Sequence, residues 1–335
     1  MLSHLFLYIC IMKQVVCIIL VAMCALYSIS EVEARGRRHE VTVVSNHEQV
    51  KIYSSAVEDT LRIFVIADTH LWLSDEREEP YREYSQRMAA AYHHTSHFRS
   101  GAATNPEQAF RQTVALAKAR GADVVALVGD ILSYPSERAV EFVQEVMQQA
   151  EMPYFYTCGN HDWHYEGMQG SSRDLRKRWR EERLAPLFQG YNPDCYGVTV
   201  KGVRLLFVDS SNYLIEPQQL KFIKQEVRRG EPFILFQHIP MYAPSRPVGY
   251  GIGHHDWGAK TDGGYKIERR ERWAEGHTPL DYDYYDAIVK APNLLATFAG
   301  HVHTYGVDVI AGRSHFTVGA NFSAAYYDVM VLPMR

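Results

Sequence analysis

Five short clusters of Asp, His and Asn stand out in this 335-residue chain because each ends an apolar run. Asp68-Thr69-His70 follows the run 61–67, and Gly129-Asp130 follows 123–128. Gly159-Asn160-His161-Asp162 follows 153–157, His238 follows 232–237, and Gly300-His301-Val302-His303 follows 293–299. Carboxylate, imidazole and amide oxygen together suit divalent or trivalent first-row metals such as Mn, Fe or Zn. No thiolate cluster accompanies them, which disfavours a structural zinc site. A carboxylate can bridge two metals about 3.5–4 Å apart, the arrangement used for in-line displacement at phosphorus.

The elements that position these residues follow from the same pattern. Each run is mostly apolar and reads as a strand, and ligands in open α/β sheets gather at the C-terminal edge of such strands. Thr104 or Asn105 before Pro106 starts a helix that stops at Gly121, and Ser136 caps another to about Ala150. Pro217 opens a third that ends near Gly230. Short β-branched segments at 41–45 and 50–53 predict a hairpin, as do 196–200 and 203–208 around Lys201-Gly202. The segments 307–310, 315–318 and 326–332 predict antiparallel strands at the end of the chain. Strands alternate with helices and hairpins close the chain, so the fold class is a mixed α/β sandwich. The stretch 242–285 reads as a long loop inserted in that domain, and a loop of that length in a compact domain is usually functional or disordered.

In order and spacing the five clusters resemble the signature of the calcineurin-like metallophosphoesterase family, over roughly 61 to the C-terminus. The resemblance implies two mixed β-sheets packed as a sandwich flanked by helices. It implies two divalent or mixed-valence metal ions, Mn, Fe or Zn. Asp68, His70 and His303 would hold the first, Asn160, His238 and His301 the second, and Asp130 would bridge them. A hydroxide held between or on the metals would attack a small phosphomonoester or phosphodiester. His161 would stabilise charge or protonate the leaving oxygen, with Asp162 orienting it from the adjacent position.

Some family branches fit less well. Ser133 stands where the family often has Asp. Purple acid phosphatases have Tyr there and lack the first-motif His, whereas this chain has His70 and places Tyr134 one position on. That argues against a Tyr-ligated iron site. The Arg residues that follow the Asp and Asn motifs in protein Ser/Thr phosphatases are missing from 131–134 and 163–165. Two other classes compete: a non-catalytic binding protein on the same fold, which would be expected to have lost ligands, and a nuclease. The formal net charge of -4 gives no footprint for nucleic acid, so no nucleic-acid partner is expected.

Other features carry ordinary readings. Trp72, Trp163, His164 and Tyr165 flank the motifs, either as packing or as a wall for an aromatic leaving group. His93, His94 and His97, and His254 with His255, read as solvated faces, and so does the basic run 173–183. Asn321-Phe322-Ser323 is a glycosylation sequon that matters only if exposed. The N-terminal residues 1–30 read as an export signal with its apolar run at 15–27 behind Lys13, or as a retained anchor. The expected location is therefore exported, with a membrane association only if that segment is retained. Residues 31–60 read as an N-terminal segment with short strands, and 61–335 as the domain. After cleavage only Cys158 and Cys195 remain, either paired or as buried free thiols.

Overall fold

Alternation along the predicted strands decides how the layers form. In the strand Leu61–Ile66, Ile63 and Val65 point one way and Phe64 and Ile66 the other, and all four are buried. Such a strand needs an apolar partner on each face. The computed structural model describes residues 38–89, 91–244, 246, 251–255 and 276–334. The expected export segment and the middle of the expected loop, 256–275, lie outside them.

Fourteen strands occur among the described residues: β1 (Val41–Asn46), β2 (Gln49–Ser54), β3 (Leu61–Ile66), β4 (Thr95–Ser96), β5 (Ala103–Thr104), β6 (Val124–Val128), β7 (Tyr154–Thr157), β8 (Cys195–Val200), β9 (Val203–Val208), β10 (Phe233–Phe236), β11 (Leu294–Ala299), β12 (Gly306–Ile310), β13 (Arg313–Thr317) and β14 (Tyr327–Pro333). One sheet has the order β1-β2-β14-β3-β6-β7, the other β12-β13-β11-β10-β9-β8. Both are mixed: β3, β6 and β7 run parallel, as do β9, β10, β11 and β13, while β1–β2, β14–β3, β12–β13 and β8–β9 are antiparallel. β4 and β5 form a separate two-stranded ribbon.

Ile63, Val65, Ala126 and Val128 of the first sheet share one core cluster with Leu205, Phe207, Ile234, Phe236, Phe298 and Phe316 of the second. The opposite faces, Phe64, Ile66, Val125 and Leu127 with Leu206, Val208 and Leu235, join the helices in another cluster. There they meet Phe110 and Val114 from helix Pro106–Ala119, Val140 and Val143 from Glu137–Ala150, Leu220 and Ile223 from Pro217–Arg229, and Tyr284 and Ile288 from Pro279–Val289. The two-sheet sandwich flanked by helices is the expected architecture. The expected caps are in place: Asn105 accepts from Gln108 N at 2.9 Å and Ser136 from Ala139 N at 3.3 Å.

Four expectations change. The last three strands do not form one antiparallel set: β13 is parallel to β11, and β14 crosses to the other sheet, antiparallel to β3 and parallel to β2. Through β14 the hairpin β1–β2 is part of the domain, and the compact unit begins at His39 rather than 61. The stretch 242–285 is not all loop, because Pro279–Val289 is helical and opens on a Thr278/Asp281 capping box. The basic run is not simply a solvated face. Arg176 and Arg180 reach Asp209 at 3.4 and 3.0 Å, and Arg183 reaches Glu78 and Glu137 at 3.1 and 2.8 Å. These three recur at positions i, i+4 and i+7 and turn inward, whereas Lys177 and Arg178 stay exposed beside Glu181 and Glu182.

Cys158 and Cys195 are both buried free thiols, which removes the disulfide alternative. Among the described residues no helix is long and apolar enough to cross a membrane.

Phe298 lies wholly inside the layer between the sheets, 4.9 Å from Phe316 and 5.8 Å from Phe236 by ring centroid. Phe298→Ala is expected to cost about 3–5 kcal/mol of unfolding free energy, measured by urea titration with circular dichroism. A loss under about 1 kcal/mol would mean the sheets do not close on one another here.

Candidate metal centre

All five clusters emerge at the same edge of the two sheets. Asp68, Asp130 and the 159–162 loop follow β3, β6 and β7, while His238 and the 300–303 loop follow β10 and β11. Backbone bonds fasten the loops to one another: Asp68 N to Gly129 O at 3.0 Å, His70 N to Asp130 O at 2.9 Å, and Gly300 N to His238 O at 3.1 Å. Two glycines make this closeness possible. A Cβ on Gly159 would strike the backbone and carboxylate of Asp130, and one on Gly300 would lie 2.7 Å from both Ala67 Cβ and Asp68 Oδ2. Asp68, His70, Asp130, His301 and His303 all take left-handed backbone, with φ of +55, +54, +49, +73 and +58°. For non-glycine residues such conformations cost on the order of 1–3 kcal/mol each and cluster at functional sites.

The side chains converge. The ligand atoms of Asp68, His70 and His303 form one group of mutual neighbours, within 4.8 Å; Asp130, His238 and His301 form another; His70, Asp130 and His161 form a third. His238 Nε2 is 3.1 Å from Asp130 Oδ2, His303 Nε2 is 3.4 Å from Asp68 Oδ1, and the Nε2 atoms of His70 and His303 are 3.2 Å apart. His238 Nδ1 donates to Val128 O at 3.0 Å, which directs Nε2 at Asp130. Asn160 is 2% exposed, and its Oδ1 is buried with no hydrogen-bond partner among the described residues. A buried amide oxygen in that state fits a metal ligand better than a packing group.

The electrostatics match this donor set. Burial opposes the charge on Asp130, but the imidazoles of His238, His161 and His70 outweigh it and hold the carboxyl well below its ordinary range. Burial likewise works to lower His238, yet Asp130 beside it carries the imidazole up to about 10. Nε2 therefore faces Asp130 with either a proton or a cation between them. Burial, then the imidazoles around it, pushes His70 down, and Asp68 raises His303 against its burial. Among the described residues, the carboxylates of Asp68 and Asp130 have only imidazoles as ion-pair partners. The cluster is short of positive charge, and metal ions would supply it.

Asp162 has a different task from the expected one. Oδ2 accepts from Asp130 N at 2.9 Å and Gly159 N at 2.6 Å, and Oδ1 accepts from Leu132 N at 2.8 Å. Both oxygens serve backbone amides, so the carboxylate braces the loops rather than the His161 ring. Burial and the nearby Asp130 charge push it up to about 7 against those amide bonds. His161 is pinned at its backbone, where N donates to Asp130 Oδ1 at 2.7 Å. His161 and His301 are 9 and 8% exposed and His303 is half-buried, whereas Asp68, His70 and His238 are fully buried. The site therefore opens on the side of His161, His301 and His303.

The family model for calcineurin-like phosphoesterases matches residues 61–305, which contain every one of these clusters. The chain belongs to the calcineurin-like phosphoesterase family. Family members are metal-dependent phosphoester hydrolases, and the His and Asp groups above are suited to bind metal. No curated protein sequence matches this one. Solved structures similar to it include a dimetal phosphatase from Danio rerio, at 13% identity and TM-score 0.49, with 79% of this chain and 91% of that one covered. A purple acid phosphatase from yellow lupin, Lupinus luteus, is 12% identical with TM-score 0.45, covering 83% and 48%.

Other phosphoesterase-motif neighbours sort by burial. Trp163, His164 and Tyr165 are core, with Trp163 Nε1 donating to Ser211 Oγ at 2.9 Å, and this is the packing reading. Trp72 is half-buried against His93. His93, His94, His97, His254 and His255 join none of the three-donor groups found among the described residues. Asn321 is fully buried and its amide is engaged by Thr69, Thr113 and Ala325, so the sequon is closed to glycosylation in the folded chain. Sequence reasoning passed over Tyr213, whose ring lies edge-on to His301 at 5.6 Å and whose φ is +65°. The signal was present: residues 209–213 follow β9 as the motifs follow their strands.

Replacing Asp162 by Asn sets an amide NH₂ against backbone N–H groups. Asp162→Asn is expected to weaken metal affinity by roughly 10–100-fold, read by calorimetric titration of Mn²⁺. Unchanged affinity with lost turnover would return Asp162 to the role of orienting His161.

Proposed function

We propose that this phosphoesterase hydrolyses small phosphomonoesters or phosphodiesters at a dinuclear metal centre. The observation that carries the reading is the sharing of Asp130 between ligand groups, one with His238 and His301 and another with His70 and His161. In this reading Asp68, His70 and His303 would hold one ion, Asn160, His238 and His301 the other, and Asp130 would be shared by both. Mn, Fe and Zn all suit the donors.

When bound, the metals supply positive charge against the phosphate oxygens and acidify the attacking water. The chain's own residues do the rest. Asp130 keeps its negative charge because imidazoles surround it. His238 is held in one tautomer by Val128 O. His161 stands on the open side of the cluster, with its backbone fixed to Asp130 Oδ1, and its imidazole delivers the proton to the leaving oxygen. Action outside the cytoplasm rests on the apolar run 15–27 alone.

The competing readings differ in measurable ways. A non-catalytic binding protein is disfavoured because each ligand position of the motifs is filled. A nuclease is disfavoured by the net charge of -4.

A chain starting at residue 31, stripped with chelator and reloaded with Mn, Zn or Fe, is expected to hydrolyse nitrophenyl phosphate or its bis-ester, and the ratio assigns monoesterase or diesterase. Asp130→Asn is expected to lose both activity and bound metal. His161→Ala is expected to keep the metals while turnover falls roughly 10²–10⁴-fold. Folded protein that binds no ion would overturn the proposal, and preference for single-stranded DNA over both small esters would favour the nuclease.

A further inference from the structure

The segment before β4 lies against the first ligand loop. There the Tyr92 ring stacks on the His70 imidazole, with centroids 4.3 Å apart and planes at 30°. Its neighbour Phe322 stacks on Tyr92 at 4.7 Å and 18°. Both rings also meet His303 near perpendicular, Tyr92 at 5.5 Å and Phe322 at 5.2 Å. The two imidazoles that accompany Asp68 therefore share one aromatic support.

That support is held by fixed backbone. Thr95 Oγ1 donates to Phe322 O at 2.6 Å, and Phe98 N to Ser323 O at 2.9 Å. On the other side, Phe322 N donates to Asp68 O at 3.1 Å and Asn321 N to Ala67 O at 2.9 Å. Thr69 Oγ1 donates to Asn321 Oδ1 at 3.1 Å. Segments 92–98 and 321–323 thus clamp the loop 68–70 from outside.

The clamp stands where a hydrogen bond would be expected. A ligand histidine is ordinarily oriented by a bond from its second ring nitrogen, as His238 is by Val128 O. His70 presents Nε2 to His303 and Asp130, and its Nδ1 is buried with no hydrogen-bond partner among the described residues. We propose that Tyr92, backed by Phe322, is the positioning residue that orients His70, by ring stacking in place of a hydrogen bond. The proposal rests on the two-metal reading above.

The test compares wild type, Tyr92→Leu and Tyr92→Phe by Mn²⁺ calorimetry and electron paramagnetic resonance, with urea unfolding of the chelated proteins alongside. Wild type is expected to bind two coupled Mn²⁺ ions. Tyr92→Leu is expected to bind one of them at least about tenfold more weakly and to show the signal of an isolated ion. Tyr92→Phe, which keeps the ring, is expected to behave as wild type. Tyr92→Leu with both ions at wild-type affinity would overturn the inference and leave the two-metal reading intact. So would Tyr92→Phe as damaging as Tyr92→Leu, or both ions weakening alike in step with lost stability. Wild type that binds no Mn²⁺ would overturn the reading and the inference together.

Discussion

Carboxylates sunk below a protein surface must find donors, and at this site Asp68, Asp130 and Asp162 each find one on the backbone of another motif loop. Asp68 accepts from His301 N through both oxygens, at 3.0 and 2.9 Å, and Asp130 accepts from His161 N. Asp162 accepts from the amides of Asp130, Leu132 and Gly159. The acid groups that would face the metals are therefore also the bolts that join one loop to the next. A buried carboxylate left unpaired is costly, so the loops cannot separate without exposing that cost. The rest of the site depends on this lock, because the loops come from two different sheets.

The lock needs unusual backbone. Gly159 and Gly300 are required because neighbouring chain passes where a Cβ would stand, and five of the candidate metal-binding residues sit in the left-handed region. Strain of that kind persists only where the surroundings over-determine it. The surroundings here are β3, β6, β10 and β11, whose residues are buried on both faces between the sheets and under the helices. Rigid stems and strained tips are complementary, since the free energy gained by burying the strands holds open the conformations that aim the ligands.

Much of this was legible in the sequence because it is written locally. A doubly buried strand shows as a continuous apolar run, and a ligand at its tip shows as the first polar residue after it. Asp68, Asp130, Asn160, His238 and His301 obey that rule, whereas Tyr213 stands four residues beyond Asp209, the first polar residue after β9, and went unread. What was not legible depends on partners distant in sequence. Nothing in 326–332 says that β14 pairs with β2 and β3 rather than β13. Nothing in 173–183 says that Asp209 waits for Arg176 and Arg180. Adjacency suggested that Asp162 serves His161, but a tight turn places that carboxylate under the backbone of β6's tip instead.

The position of the readable and unreadable parts has a physical sense. The fully buried candidate ligands, Asp68, His70 and His238, tolerate few alternatives, since any change leaves an unpaired charge or a gap. The accessible side, at His161, His301 and His303, is met by the segment around Tyr92, which lies between helix Arg82–Ala89 and β4. That segment carries no period or motif that sequence reasoning can grip. The chemistry of phosphoester cleavage is thus carried by the part of the molecule that the fold over-determines. The Tyr92 stack is one point where a segment outside the two large sheets reaches back to touch the constrained centre.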